Sequence, residues 1–543
     1  SRGRSGGRSN RLRARGEAML LRELYRIGLE MKNGDDWPTE MYDERKIRWE
    51  VVLNSDGTLR DVIALDPKDK TLGRLSAPDL DRANGIIPYL VVDKPEYVLA
   101  EGKNGAAQHT AYLELMDKCA KDTGSASVKA IHDYLQKDLE QLRGAMISNG
   151  YCSGEKSTST AQANEWINFS VGGRYPIDEP VVQAWWAKYA RDELDISEVC
   201  CISGTYGRIT RKFPVTIRVN GTACKLASVD SPACKSYAFD KTDHAPMSHD
   251  AALVAGTALK QLLADPRSCN RLGDVNFAFW TRNNTIREGL LAFAFGENDE
   301  AHSSDVRAFF DGVFSGRTSF VAEDKFYMLV VTNTKSRIVI RASIEAPLGA
   351  VVENVRYWSD ASSIAGPDDT PIGLRDLYRS LQVSNKRQSR NIQLALVRNA
   401  FFGERLDRTI YSMVFPRIES SIHSPNKKPK WRAPSREHVS VIKLYLSQSI
   451  PEVRNLVALQ EDYPDVAYHY GRLLAVYEAI QLGASPDVQS TVSERFFTSM
   501  MINPKRAVAK LDTLAKAHLR KGARERGKGW AINQSKRLQS INR

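Results

Sequence analysis

The sequence predicts a mixed α+β protein, with a β-containing N-terminal and central region followed by an all-helical C-terminal bundle. Three observations predict it. Two alternating apolar runs near the N-terminus are joined by an Asp-Gly turn, short apolar strand-like runs recur through the middle, and beyond about residue 371 the apolar spacing becomes almost purely helical. Of the 543 residues, 42% are apolar, which supports folded cores and excludes wholesale disorder.

A short amphipathic helix is expected after Met19, with Leu20, Leu21, Leu24, Ile27 and Gly28 on one side. Ile47–Leu53, the turn Asn54-Ser55-Asp56-Gly57 and Leu59–Leu65 form a predicted hairpin. Ile86–Val92 resembles another strand, and helical spacing returns over 107–146. Trp166–Val171, Val275–Trp280, Phe326–Thr332 and Ser336–Ile344 are further strands, and Ala251–Leu263 is a buried helix ended by Asp265-Pro266. The breaker-rich stretch Ile364–Pro371 is a candidate linker.

After it come helical runs through Val439, Ile442 and Leu446, through Val466, Tyr470, Leu473, Tyr477 and Ile480, and through Val492, Phe496 and Met500. Asn503-Pro504 supplies the N-cap and first position of a last helix, and Gly522 is expected at its C′ position. The expected divisions are 1–18 as a flexible basic extension, 19–150 as an N-terminal domain, 151–365 as a central α+β domain and 371–543 as the bundle.

Lys plus Arg number 77 against 65 acids, a net +12 that is unevenly placed. Residues 1–18 carry +5 and residues 504–543 carry +10, leaving −3 for everything between. Basic ends suit a polyanion such as nucleic acid, and equally suit solvated tails. Residues 375–408 hold eight Lys/Arg against three acids, and a Pro-interrupted loop adds Lys427, Lys428, Lys430 and Arg432. Seven cysteines, odd in number and without C-x-x-C spacing, predict reduced thiols in a cytoplasm. No apolar run reaches the ~18–20 residues that span a bilayer, so no membrane role is expected.

Motifs for chemistry are sparse, and no catalytic residue, metal or cofactor is expected. Gly522–Gly529 lacks the Ser/Thr that ends a phosphate loop and follows a helix instead of a strand, so it is taken as a flexible basic tail. His244 and His249 are five apart, off the spacing that puts two ligands on one helical face. Asp243-His244 and His249-Asp250 superficially match fragments of a metal-dependent phosphohydrolase, and a surface turn is the plainer reading. Candidate nucleic-acid contacts are Arg82, Asn84, Lys103, Asn104, Arg208, Arg211, Lys212, Lys386, Arg387, Arg390, the four loop cations at 427–432 and Arg472. Asn suits adenine and Arg suits guanine, and either serves phosphate.

Several stretches together resemble one family. They are Ile47-Arg48-Trp49 with its hairpin, Gly85-Ile86…Pro88, Val92–Leu99, Cys201–Gly204, Lys235-Ser236-Tyr237, Ala245–Ser248, Phe279-Trp280, Phe326–Leu329, Arg356-Tyr357-Trp358, Val441-Ile442-Lys443 and Ala467–Val476. In this order, from about residue 20 to 520, the chain resembles the large subunit of the type I-C CRISPR Cascade. It departs from the family pattern at Arg218–Ala223 and at His244-Ala245-Pro246.

The resemblance implies a non-catalytic, cytoplasmic subunit. Its N-terminal part binds near the 5′ handle of the CRISPR RNA and recognises the protospacer-adjacent motif on duplex DNA. Its C-terminal bundle contacts target or displaced single strand, stabilises the R-loop and helps recruit a helicase-nuclease. The implied partners are CRISPR RNA, double-stranded and displaced single-stranded target DNA, Cascade backbone subunits, a crRNA-processing subunit, a helical small subunit and that helicase-nuclease. The small subunit can arise from an internal start, for which Met413 or Val414 is placed. The competing readings are a free-standing metal-dependent nuclease or nucleic-acid-modifying enzyme with a dispersed site, and a structural nucleic-acid binder.

Overall fold

The computed structural model describes residues 20–32, 37, 39–65, 74–80, 85–152, 165–192, 197–210, 213–227, 245–266, 268–282, 324–365, 372–382, 391–422 and 434–542. They form two compact units, the first comprising Ser1–Ala264 with Thr332–Val339 and the second Asp265–Val331 with Ile340–Arg543.

The first unit opens with α1 (20–31), which buries Leu20, Leu24 and Ile27. The long strand β1 (Tyr42–Leu53) buries Ile47, Trp49, Val51 and Leu53, every second residue, as alternation demands. It turns at Gly57 (φ +86°) into the antiparallel β2 (Leu59–Ala64). Its first half pairs antiparallel with β3 (Arg74–Pro78), and its second half pairs parallel with β4 (Trp166–Val171).

Helices α2 (Pro95–Val98), α3 (Gly105–Thr123), α4 (Ala126–Ser148) and α5 (Pro180–Asp192) contribute to the same core through Val98, Tyr112, Met116, Ile131, Leu135 and Trp186. Gly124, left-handed at φ +71°, separates α3 from α4, and Ser125 caps α4 by accepting from Val128 N. Two small hairpins follow, β5 (Ser197–Val199) with β6 (Tyr206–Arg208) and β7 (Ile217–Val219) with β8 (Thr222–Cys224). The last helix of this unit, α6 (His249–Ala264), packs against α1 where Gly28 leaves room, since a Cβ there would lie 2.7 Å from Val254.

Residues 86–92 correct the expected strand. Tyr89, Leu90, Val91 and Val92 are all buried, yet they form no strand, and Val91 is left-handed at φ +63°. The fully buried Asp93 accepts from Tyr89 N and Lys94 N, each at 2.7 Å. A buried carboxylate must be satisfied, and collecting those donors closes the chain into a turn.

The second unit contains, apart from residues 332–339, the antiparallel sheet β12-β11-β10-β9, formed by β9 (Cys269–Leu272), β10 (Val275–Thr281), β11 (Lys325–Thr334) and β12 (Arg337–Pro347). Phe277 and Phe279, with Phe326, Met328 and Val330 of β11, share a core with α7 (Leu348–Ser362), α8 (Leu374–Ser380), α9 (Asn391–Phe402), α10 (Arg408–Ile422) and α11 (Arg436–Ser447). Each large apolar side chain buried this way contributes on the order of 1.5–3 kcal/mol before entropy.

A separate helical core joins α12 (Val466–Ala484), α13 (Val492–Ile502), α14 (Pro504–Glu525) and α15 (Lys528–Ile541) through Leu473, Tyr477, Ile480, Val492, Met500, Leu511 and Leu538. Val466, expected on the buried face, is 69% exposed. Strands precede helices as the α+β expectation requires.

The expected end of α14 is corrected as well. Gly522 is buried inside the helix, which continues to Glu525, and the turn is made by Gly527 at φ +94°. A Cβ on Gly522 or Gly483 would collide with the indole of Trp530, so these glycines are packing positions. Residues 522–529 therefore belong to α14, its turn and the start of α15, not to a flexible tail. Residues 366–371 of the expected linker 364–371, the extension at 1–18 and Cys234 lie outside the described residues, and the other six cysteines, all described, are free thiols. No helix among the described residues is long and apolar enough to cross a membrane.

Candidate nucleic-acid interface

Four of the sequence-predicted contacts fall on described residues: Lys103, Asn104, Arg208 and Arg472. Arg82, Asn84, Arg211, Lys212, Lys386, Arg387, Arg390, Lys427, Lys428, Lys430 and Arg432 lie outside them, as does His244.

Lys103 and Asn104 sit on a tightly built turn before α3. Ala100 (φ +53°) and Gly102 (φ +82°) are left-handed, and a Cβ on Gly105 would strike the Ala100 carbonyl. Arg143 Nε donates to Leu99 O at 2.9 Å, and Tyr151 donates to Glu101 at 2.6 Å, fixing both sides of the turn. Burial raises the Glu101 carboxyl above its usual range against the lowering effect of that bond. Both candidate side chains project into solvent, and Asn104 makes no capping bond although it occupies the N-cap position.

Arg208 is half committed. Its Nη1 donates to Arg191 O and Asp192 O, both at 3.1 Å, and its Nη2 lies 3.3 Å from Asp192 Oδ1. It thereby satisfies carbonyls at the end of α5 while keeping 47% of its side chain exposed.

Arg472 is turned inward, with 10% of its side chain exposed. It donates to Glu461 O at 2.6 Å and lies 3.5 Å from the Glu461 carboxylate. Together with His469, bonded to Tyr463 O at 2.7 Å, it ties the preceding loop to α12. Nothing lies within 4 Å of where a Gly471 Cβ would be, so that glycine makes no tight helix contact.

The basic stretch at 375–408 also finds protein partners. Arg375 donates to Asn270, Arg405 donates to Gln448 O at 2.8 Å, and Arg398 lies 3.7 Å from Glu404.

Helix α14 behaves differently. Ala507, Leu511, Ala515 and Gly522 are buried, and the opposite face carries Arg506, Lys510, Arg520 and Arg524 at four-residue and longer helical spacings. Lys505, Lys516 and Lys521 flank that line, and all seven cations are exposed. The helix's two acids are both engaged. Asp512 accepts from Tyr477 OH, a phenol that burial first and this carboxylate second push above its ordinary value, and Glu525 lies 3.8 Å from Lys521.

Arg506, Arg520 and Arg524 have no acidic partner among the described residues. Like charges at Arg506/Lys510, Lys516/Arg520 and Arg520/Arg524 repel by about 0.2–0.5 kcal/mol per pair. From Arg506 to Arg524 about 27 Å of helix thus presents positive charge, most of it unneutralised, a footprint that backbone phosphates fit. The +10 of the C-terminus signalled this region, but choosing the residues required the phase of the helix, which Leu511, Ala515 and Gly522 reveal only once buried.

His249 corrects another expectation. It is the first residue of α6 and only 7% exposed, not part of a surface turn. No group of three or more His, Cys, Asp or Glu able to hold a metal ion occurs among the described residues.

No curated protein matches the chain. The profile of one family, described as CRISPR-associated protein (Cas_Csd1), matches residues 21–543. A match over nearly the entire length shows that the chain belongs to the CRISPR-associated Cas_Csd1 family.

Proposed function

We propose that the chain is the non-catalytic large subunit of a type I-C CRISPR RNA-guided surveillance complex. In this reading it recognises the protospacer-adjacent motif, stabilises the R-loop and helps recruit a helicase-nuclease. Its partners are CRISPR RNA, target DNA, the backbone and processing subunits and a helical small subunit. The observation that carries the nucleic-acid role is the α14 face of Arg506, Lys510, Arg520 and Arg524, with no acid on it. Such a face tracks phosphates without reading bases, which suits a strand whose sequence is read by guide pairing. The exposed Lys103 and Asn104 on their rigid turn are assigned to the duplex flanking the target.

Binding of single-stranded and motif-bearing duplex DNA, measured against salt concentration, tests the reading. Lys103→Ala with Asn104→Ala is expected to weaken binding in a motif-dependent way, and equal loss on all flanking sequences assigns those residues to phosphate. Magnesium- or manganese-dependent plasmid cleavage that disappears on carboxylate mutation would favour the nuclease reading instead.

The internal start at Met413 or Val414 is also part of the proposal. It would begin a product inside α10, where Val414 is fully buried. N-terminal sequencing of a co-purified small chain decides it.

A further inference from the structure

In the first unit, a cleft of about 430 Å³ opens where α5, the β5–β6 hairpin and the start of α6 converge. The hairpin is held against α6 by a bridge between Ile209 and Ser248, and Gly207 permits the approach, since a Cβ there would lie 3.1 Å from Ser248 Cβ. Ser248 caps α6 by accepting from Ala251 N at 3.3 Å. The first turn of this 16-residue helix faces the cleft through His249, Asp250 and Ala251. The earliest N–H groups of a helix have no partner within it, and the helix dipole makes that end attractive to anions.

A second, independent feature points the same way. His249 lines the cleft at 7% exposure, yet its Nδ1 has no hydrogen-bond partner, the Asp250 carboxylate being 3.8 Å away. A buried polar nitrogen left without a partner is costly, and a ligand oxygen would satisfy it.

Arg191 serves Glu40 as well as Asp250, so the paired groups around the cleft supply no surplus positive charge, and Lys188 stands outside them. Asp192 is answered by Arg208 at 3.3 Å, and Asp250 by Arg191 at 3.3 Å. Lys188, exposed on the wall of the cleft, has no acidic partner among the described residues. Tyr206, 73% exposed on the hairpin, offers an aromatic face at the mouth.

We propose that this cleft binds a phosphate monoester of a nucleotide. Lys188, the His249 imidazole and the first-turn N–H groups of α6 each take one of its three terminal oxygens, and Tyr206 stacks on the base. A phosphodiester, with two free oxygens, leaves one of these donors unanswered. The group can come from a free mononucleotide or from the phosphorylated end of a strand. The site goes beyond the reading above, because it involves neither the α14 face nor a guide RNA.

The test uses the purified full-length chain. By calorimetry, AMP is expected to bind at least about tenfold tighter than adenosine, the effect of one charge-assisted contact. Lys188→Ala, at an exposed position, is expected to remove most of that advantage, and His249→Phe to do the same with the thermal transition monitored alongside. Twelve-nucleotide DNA strands with a 5′-phosphate, a 3′-phosphate or hydroxyl ends identify the source. An advantage for either phosphorylated end assigns it to strands, and an advantage confined to AMP assigns it to free nucleotide. Equal binding of AMP and adenosine together with equal binding of all three strands overturns the proposal, as does a phosphate advantage that survives in both variants. Either failure leaves the reading of the α14 face standing.

Discussion

Two basic regions of the second unit differ in what answers their charge. At 375–408 three of the described arginines turn back on the protein, with Arg375 reaching Asn270, Arg398 approaching Glu404 and Arg405 capping Gln448 O, while Arg379 and Arg408 stay exposed. On α14 the cations stand in a line with their backs to an apolar core, and the helix's two acids are spent on Tyr477 and Lys521. Charge density is high in both stretches, so density alone does not identify a polyanion site. What separates them is that Arg375, Arg398 and Arg405 already reach a partner, whereas Arg506, Arg520 and Arg524 have no acidic one among the described residues. Arginines that satisfy carbonyls hold the fold together, and arginines that repel one another along a helix leave their charge unanswered.

The largest effect expected from this contrast is on binding. Arg506→Ala, Arg520→Ala and Arg524→Ala combined should weaken single-stranded DNA binding about a hundredfold at low salt and flatten the salt dependence by about 2–3 in slope. Circular dichroism should show an unchanged or slightly higher thermal transition, since repulsion is relieved. Unaltered affinity would erase the distinction between the two regions.

The matched triple, Arg375→Ala with Arg398→Ala and Arg405→Ala, should do the reverse. Affinity should change by less than about threefold, while stability falls by about 1–3 kcal/mol as Asn270 and the Gln448 carbonyl lose their donor. Denaturant titration beside the binding isotherm separates the outcomes.

The same contrast shows what could be seen in the sequence. The hairpin at 47–65 was legible because alternation and an Asp-Gly turn are local signals. So were α3, α4, α6 and the strands β4, β10 and β11, whose apolar runs match their burial, and β12, although it buries only Ile338. Residues 86–92 were not, because Asp93 redirects an apolar run through bonds that composition does not display. Gly522 was misplaced because a glycine ending a helix and one making room for an indole have the same one-letter code. Candidate contacts suffered in the same way. Arg472 stood out for its charge, but its partner Glu461 reaches it only through the intervening loop, and the useful line on α14 needed a helical phase set by tertiary burial.

A smaller effect is expected at Arg472, the most inward of the predicted contacts among the described residues. Arg472→Ala removes the donor to Glu461 O and unties the loop before α12, so stability should fall by about 1–2 kcal/mol. Hydrogen exchange should rise at 456–465, with single-strand affinity changing by less than about threefold. A loss of binding without faster exchange would move Arg472 to the same class as Arg520.

The smallest effect tests the extreme of the partnered class, a buried lysine with no carboxylate bonded to it. Lys443 is 3% exposed, and its Nζ donates to Asp360 O at 3.1 Å and Ser363 O at 2.7 Å, closing the end of α7 together with Ser440 on Ser362 O. Burial lowers its pKa to about 8, against the raising influence of Asp360. Unfolded, the same amine keeps its proton to about pH 10.4. Between those values the unfolded chain binds more protons, so this residue's contribution to stability improves as pH rises through the window. Denaturant-derived stabilities at pH 7.5 and 9.5 should show wild type gaining on the order of 1 kcal/mol relative to Lys443→Met, which has nothing to titrate there. An unchanged difference would mean that the two carbonyls hold the charged form as well as water does, and that a lysine satisfied by dipoles alone loses nothing by burial.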